Sequence, residues 1–282
     1  MSGHTIAAYR HDLLALAEFA ARRKLNQWSL LDHSQLRTFA AALHGKGLSP
    51  RSIQRRLSAA RTFYEFLMRE GLCTRNPAQD VRAPKIGKRL PATLDADQMG
   101  RLLAFRVDDS LSARDKAIME LFYSSGLRLA ELVGLKQGAV DLKDRTVRVL
   151  GKGSKTRIVP VGRQAIDALK HWLKARAAMV KPQVDALFVG QSGRPLSVRA
   201  VQLRVGAWGR RQGIGVHVHP HMFRHSFATH LLESSGNLRG VQELLGHADI
   251  GTTQIYTHLD FQHLATVYEA AHPRARRRDR GA

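Results

Sequence analysis

Cysteine and long apolar runs are both nearly absent from this chain of 282 residues. The single cysteine, Cys73, excludes a disulfide framework and a zinc site built from several cysteines. Apolar runs such as Leu13–Ala17 are far shorter than the roughly 20 residues that cross a bilayer. At the N-terminus, Arg10 and Asp12 interrupt the pattern of a signal peptide. We therefore expect a cytoplasmic protein that does not insert into a membrane.

Acidic residues are also scarce. The 23 Asp and Glu residues stand against 45 Lys and Arg, which gives a formal net charge of +22 and a pI near 11.2. A positive surplus of this size favours a polyanionic partner, and we interpret it as nucleic-acid binding. Because 44% of the residues are hydrophobic, the chain can bury a core. Its length suits two domains of roughly 100–200 residues each.

The first of these domains has only helical periodicity, and we assign it to residues 1–80. Within it, Ser49 is predicted to cap a helix whose first position is Pro50. Gly71 is expected to close that helix. The prolines and basic residues of 81–91 then predict an extended basic linker. This part of the chain should therefore form an all-α domain followed by a linker.

The second domain, residues 92–282, mixes two kinds of periodicity. Most of it has helical patterns. Over residues 145–161 the period changes to two, with a glycine-flanked turn at Lys152, and this predicts a β-hairpin. The expected fold is mainly α with a small β-sheet, an α+β domain.

Basic side chains cover one face of the helix that begins at Pro50 and continue into the linker. On an ordinary protein such a face is solvated. With a net charge of +22, contact with the DNA backbone is the better interpretation. The predicted DNA-binding residues are Arg51, Arg55, Arg56, Lys85, Lys88 and Arg89.

The segment around His221 and Arg224 is the most informative one for chemistry. Pro220 is well placed to open a helix, so these two residues share a face of its first turns. An imidazole and a guanidinium at a helix N-terminus suit a phosphate, although a locally satisfied polar helix start would look the same. A metal site is the other interpretation, because His217, His219, His221 and His225 lie close in sequence. No Glu or Asp accompanies them, and we expect no metal.

Four further residues are candidates for a site. Arg128 follows a glycine stop, and Glu131, three residues later, could hold its guanidinium; a buried structural ion pair is the alternative. Lys152 lies at the hairpin tip, where flanking glycines let a ligand approach. His247 follows an apolar helix. Tyr256 is a nucleophile candidate only if cations converge on it, because a phenol with a pKa of about 10 is a poor nucleophile; otherwise it is a packing residue.

Taken together, these segments resemble the tyrosine recombinase (phage integrase) family. The family motif is an arginine after a helix stop, a hairpin lysine, H-x-x-R, a histidine in L-G-H and a tyrosine nine residues later. This chain supplies all six in order: Arg128, Lys152, His221, Arg224, His247 and Tyr256. The resemblance covers nearly the whole chain. The sequence from Tyr256 to Ala275 looks like the Xer subgroup, whose members resolve chromosome dimers in bacteria.

The resemblance implies a C-shaped clamp around duplex DNA. Residues 1–80 would be a core-binding, SAM-like DNA-binding domain, and residues 92–282 would be a catalytic domain ending in an exchange helix. Tyr256 would attack the scissile phosphate and form a 3′-phosphotyrosyl link, while Arg128 and Arg224 hold the phosphate. Lys152 would protonate the leaving oxygen, and either of the two motif histidines would act as the base. Neither a metal nor another cofactor is implied.

The resemblance also implies partners. They are a double-stranded recombination site, an XerD-like sister recombinase in a tetramer with two copies of each, and a cell-division DNA translocase. A mobile-element integrase would have the same chemistry at a different site. A non-catalytic basic DNA-binding protein would explain the charge but not the spaced motif, and the shortage of clustered carboxylates disfavours a metal-dependent nuclease.

Overall fold

The structure is a computed structural model that describes residues 3–84, 93–151, 156–236, 238–245 and 272–273. The chain divides into two compact units, Met1–Leu90 and Pro91–Ala282. Across these described ranges, no helix is long and apolar enough to span a membrane. The helices and strands, in chain order, are α1 (Gly3–Arg22), α2 (His33–Gly45), α3 (Pro50–Arg69), α4 (Ala96–Leu102), α5 (Ser110–Ser125), α6 (Leu129–Val133), β1 (Val140–Asp141), β2 (Thr146–Leu150), β3 (Thr156–Pro160), α7 (Arg163–Ala177), α8 (Val198–Arg211), α9 (Pro220–Ser235) and α10 (Leu238–Leu245).

The first unit packs α1 and α2 against α3. As predicted, the Ser49 side chain caps α3 by accepting a hydrogen bond from the backbone N–H of Ser52 at 3.3 Å, and Pro50 occupies the first turn. The helix ends at Arg69, and Gly71 follows in a left-handed conformation with φ of +70°. The apolar faces of the three helices meet in a core that includes Leu16, Leu36, Ile53, Leu57 and Tyr64.

Helix α5 is the centre of the second unit. Nearly all of its residues are buried, which is typical of a helix surrounded by others. It packs against α7 on one side and α9 on another. The large rings of Phe122 on α5 and Phe223 on α9 lie 5.9 Å apart in this core. Since α9 carries the H-x-x-R segment, burial against α5 fixes where that segment lies.

A small antiparallel sheet lies in the same unit, with strand order β1-β2-β3. Strands β2 and β3 are the predicted hairpin, and they pair with Val147 opposite Val159 and Val149 opposite Arg157. Strand β1 was not predicted, because two residues are too short to show a period of two. The predicted fold class, mainly helical with a small β-sheet beside an all-α N-terminal domain, is confirmed.

Candidate active site

Arg128 lies at the start of the short helix α6. Helix α5 ends at Ser125, and Gly126, with φ of +58°, reverses the chain so that Arg128 becomes the residue that caps α6. Its backbone N–H donates to Oε2 of Glu131 at 2.8 Å, and its Nη1 donates to Oε1 of the same side chain at 3.0 Å. The Arg128 side chain remains 42% exposed. The guanidinium is therefore held by Glu131 and remains partly exposed to solvent.

Glu131 is the buried anion at the corner that the Gly126 turn forms with the start of α6. Besides the two bonds from Arg128, it accepts two from Arg157 on β3, at 2.8 and 2.9 Å. Burial on its own would raise the pKa of Glu131, but the hydrogen bonds from Arg157 and Arg128 outweigh it and lower the pKa to about 2. Glu131 is thus ionised at any physiological pH.

Arg224 reaches the same corner from α9. Its Nη1 donates to the backbone oxygen of Gly126 at 2.6 Å, and its Nη2 donates to that of Leu245, the last residue of α10, at 2.7 Å. Burial and the neighbouring positive charge of Arg128 lower the pKa of Arg224 to about 10. It therefore stays charged at pH 7, beside Arg128. Two guanidiniums near one corner are donors of the kind that bind phosphate oxygens.

Gly126 joins the two arginines, since it precedes Arg128 by two residues and binds Arg224 through its carbonyl. A Cβ at this position would lie 2.5 Å from Cδ1 of Phe227 and 3.1 Å from a methyl group of Leu245. The left-handed backbone also disfavours any side chain here. Only glycine lets α9 and α10 approach the turn this closely.

The predicted histidines lie at the N-terminus of α9. His219 caps the helix without a side-chain hydrogen bond to the backbone, and His221 is exposed on the first turn, three residues before Arg224. Burial, together with the charges of His221, His217 and His225, lowers the pKa of His219, so it is neutral at pH 7. Within the described ranges, no three side chains of histidine, cysteine or acid converge closely enough to hold a metal ion.

Two of the six predicted catalytic residues, Arg128 and Arg224, are therefore placed near one corner, and a third, His221, lies one turn before Arg224 on α9. The other three, Lys152, His247 and Tyr256, lie outside the described residues. The linker residues Lys85, Lys88 and Arg89 also lie outside them.

The predicted DNA-binding arginines of α3 differ in their surroundings. Arg51 is exposed. Arg55 is 45% exposed and forms an ion pair with the fully buried side chain of Asp12 at 2.6 Å. Arg56 is only 15% exposed and lies 3.5 Å from the other oxygen of Asp12. Asp12 on α1 therefore engages two of the three arginines, and DNA contact by all three stays a prediction.

Arg157 is the residue of this corner that the sequence motifs missed. It belongs to the predicted hairpin but to none of the motif elements. The sequence nevertheless contained an indication of its role. Arg157 is two residues before Val159, so the two side chains share one face of the strand, and an arginine on a buried face requires a buried carboxylate as its partner.

Two family models match the chain. One, described as the phage integrase family, matches residues 92–263, and the other, the phage integrase N-terminal SAM-like domain, matches residues 1–71. The chain belongs to the phage integrase family. The predicted resemblance is therefore confirmed.

Curated relatives of this chain are similar over nearly their full length. Tyrosine recombinase XerC of Pseudomonas syringae pv. tomato is 57% identical over 279 residues, which cover 99% of this chain and 93% of the relative. Tyrosine recombinase XerC of Xylella fastidiosa is 55% identical over 280 residues, with 99% and 94% covered. The predicted resemblance to the Xer subgroup is confirmed, and within that subgroup these relatives are XerC proteins.

Solved structures of Xer recombinases are also similar to this chain. The chain is similar to the XerH site-specific recombinase bound to palindromic difH substrate, with 26% identity, a TM-score of 0.74, and 94% of this chain and 79% of that one covered. It is also similar to the XerA recombinase, with 28% identity, a TM-score of 0.53, and 95% and 92% covered. The chain is thus a site-specific tyrosine recombinase, an enzyme that acts on DNA recombination sites, as predicted.

Proposed function

We propose that this recombinase cuts and rejoins DNA through Tyr256, at a phosphate held by Arg128 and Arg224. The observation that carries the proposal is the corner around Gly126, where an exposed guanidinium backed by Glu131 lies beside a second one bound to the Gly126 carbonyl. Arginine forks suit the non-bridging oxygens of a phosphodiester, and charge builds on those oxygens in the transition state.

In the proposed step, Oη of Tyr256 forms a bond to phosphorus, and the bond from phosphorus to the 5′ oxygen breaks. The tyrosine proton passes to a histidine, for which His221 is our candidate, and Lys152 supplies a proton to the departing 5′ oxygen. His247 donates a hydrogen bond to the phosphate. The product is a 3′-phosphotyrosyl link and a free 5′-hydroxyl, so the energy of the phosphodiester is kept in the link, and attack by a 5′-hydroxyl on that link reseals the strand.

No metal is required in this scheme. The positive charges of Arg128, Arg224 and Lys152 provide the stabilisation that a divalent ion provides in nucleases. Burial lowers the pKa of Arg224 only to about 10, so the clamp keeps its charge at the pH of the cell.

We also propose that the two units divide the work. Residues 1–80 bind DNA as a core-binding domain, residues 81–91 form the basic linker, and residues 92–282 form the catalytic domain with its C-terminal exchange helix. Support comes from the SAM-like family match over residues 1–71 and from the catalytic-family match that begins at residue 92. Arg51 on α3 is exposed, which supports its proposed role as a DNA contact of the first unit.

Similarity to XerC proteins supports a proposal about the partners of this chain. We propose that it acts with an XerD-like sister recombinase, two copies of each on the DNA, to convert chromosome dimers to monomers at cell division. A DNA translocase of the division apparatus would be the natural activator of such a pair. The XerC relatives, with identities of 55–57%, support this assignment.

A suicide DNA substrate tests the chemistry directly. The substrate contains a recombination site that has been isolated from genomic DNA by its binding to the protein. It carries a nick, placed so that the fragment released by cleavage diffuses away and the strand cannot be rejoined. The wild-type chain, with its sister recombinase where needed, should give a covalent protein–DNA band on a denaturing gel. Tyr256→Phe removes one hydroxyl and no positive charge, so it should bind DNA normally and give no such band.

Tyr268→Phe is the matched control and should still give the covalent band. The assignment is wrong if the band persists in Tyr256→Phe or is lost only in Tyr268→Phe.

A further inference from the structure

Arg157 has an unusual position for an arginine. It lies on β3 directly opposite Val149 of β2, and in the antiparallel pairing both side chains point to the same face of the sheet. Val149 on that face is fully buried, and the Arg157 side chain is only 11% exposed. An arginine is rarely buried unless it is paired with an acid. The hydrogen bonds that the structure records for its side chain are accordingly inside the protein, with Glu131.

The contact is a bridge across Glu131. Each carboxylate oxygen of Glu131 accepts one hydrogen bond from Arg157 and one from Arg128: Oε1 binds the Nη1 of both arginines, and Oε2 binds Nη2 of Arg157 and the backbone N–H of Arg128. A carboxylate offers about four lone-pair positions, so the four bonds use its full capacity. Arg157 thus takes half of the acceptor capacity of Glu131.

This sharing has a consequence for Arg128. A lone carboxylate beside an arginine tends to form a bidentate fork with its guanidinium. Because Arg157 already forms that fork, Arg128 gives Glu131 only one side-chain bond that the structure records, and its side chain stays 42% exposed. Without Arg157, both oxygens of Glu131 would be open to the guanidinium of Arg128 and would draw it away from a phosphate.

The bridge also ties two elements together. Arg157 is the second residue of β3, while Glu131 lies on α6. The two bonds between them, at 2.8 and 2.9 Å, hold the returning strand of the hairpin against the helix that begins after Arg128.

We propose that Arg157 is a positioning residue for the recombination reaction, which fixes Arg128 for the scissile phosphate by occupying one half of Glu131. The inference rests on the proposed function, since it requires Arg128 to hold that phosphate. Arg157 itself does not touch the DNA in this proposal and acts only through Glu131 and Arg128.

The test compares Arg157→Met with Arg148→Met. Arg148 is an exposed arginine on the adjacent strand β2, so its substitution removes the same charge without touching Glu131. Two quantities are measured for each variant: the affinity for the recombination site, and the single-turnover rate of covalent adduct formation on the suicide substrate at saturating protein. Thermal unfolding is recorded for both, and Arg157→Lys, which keeps the charge but has no fork, serves as a milder second variant.

We expect Arg157→Met to slow adduct formation by about 10²-fold, the size of effect that a misplacement of about 1 Å produces at a reacting centre. Its DNA affinity should match that of Arg148→Met, and Arg148→Met should keep the wild-type rate. Arg157→Lys should be intermediate, because an ammonium keeps the charge but lacks the planar fork that matches both oxygens of Glu131. In an Arg128→Ala background, Arg157→Met should slow the reaction little further, since the residue it positions is gone.

Two results would overturn the proposal. One is a rate for Arg157→Met or Arg157→Lys equal to that of Arg148→Met. The other is a full, additive loss from Arg157→Met in the Arg128→Ala background, which would show that Arg157 acts through general stability. Both are distinguishable from failure of the proposed function, because that failure would remove the Tyr256 adduct from the wild type and from Arg148→Met as well.

Discussion

Substitution of Gly126 by alanine should damage both stability and catalysis, because this glycine meets two separate constraints. Its φ of +58° costs an alanine about 1–2 kcal/mol. The new Cβ would also lie 2.5 Å from the buried ring of Phe227, and forcing extra volume into a packed core costs about 1–3 kcal/mol. The total is about 2–5 kcal/mol. For a unit of this size that corresponds to a fall in Tm of roughly 4–20 °C.

The catalytic effect should exceed what the lost stability explains. The Gly126 carbonyl accepts the 2.6 Å hydrogen bond from Arg224, and the turn it forms leads into Arg128. Movement of the turn away from Phe227 therefore displaces both arginines of the proposed phosphate clamp. We expect adduct formation by Gly126→Ala to fall by about 10²-fold at a temperature where the protein is still folded.

Gly213→Ala is the matched control. Gly213 has nearly the same backbone conformation, with φ of +64°, but no atom lies within 4 Å of the position its Cβ would take. Its alanine variant should lose only the backbone part, about 1–2 kcal/mol, and keep its cleavage rate. Differential scanning calorimetry and the suicide-substrate assay measure the two effects. If Gly126→Ala unfolds at the same temperature as Gly213→Ala, the steric reasoning is wrong.

Three further predictions concern charge. The pKa of Glu131 is lowered from 4.5 to about 2, so its ionised form contributes to stability fully above pH 4.5, and this contribution is lost as the pH falls toward 2. Urea titrations between pH 2 and 4.5 should show that Glu131→Gln has lost this part of the acid dependence of stability. An unchanged profile would contradict the assignment. Adduct formation should persist in excess EDTA, because arginines and a lysine supply the charge of a metal; loss on chelation that a divalent ion restores would favour a nuclease mechanism. Lys152→Ala should be rescued by a substrate with a 5′-bridging sulfur, which leaves without a proton, whereas Arg224→Ala should not; equal defects on both substrates would restrict Lys152 to phosphate binding.

Local features of this chain could be predicted from the sequence because neighbouring residues determine them. Ser49 and Pro50 start α3 as expected, since a cap and a proline act within one turn. The pairing of β2 with β3 follows from a period of two broken by glycines. The placement of His221 and Arg224 on the first turns of α9 follows from Pro220 and the spacing of three. Resemblance to a known family then joined these separate signals into one motif.

Contacts between distant segments were decided only by tertiary packing. The sequence shows that Arg157 shares a strand face with Val159, but not that Glu131 on α6 is its partner. The burial of Asp12 against Arg55 and Arg56 depends on how α1 crosses α3, which no local pattern encodes. Periodicity determines which face of an element is buried, whereas the partner on that face depends on how whole elements pack. For that reason the sequence identified the motif residues and offered Glu131 as the partner of Arg128, and only the folded chain revealed that Arg157 shares this carboxylate.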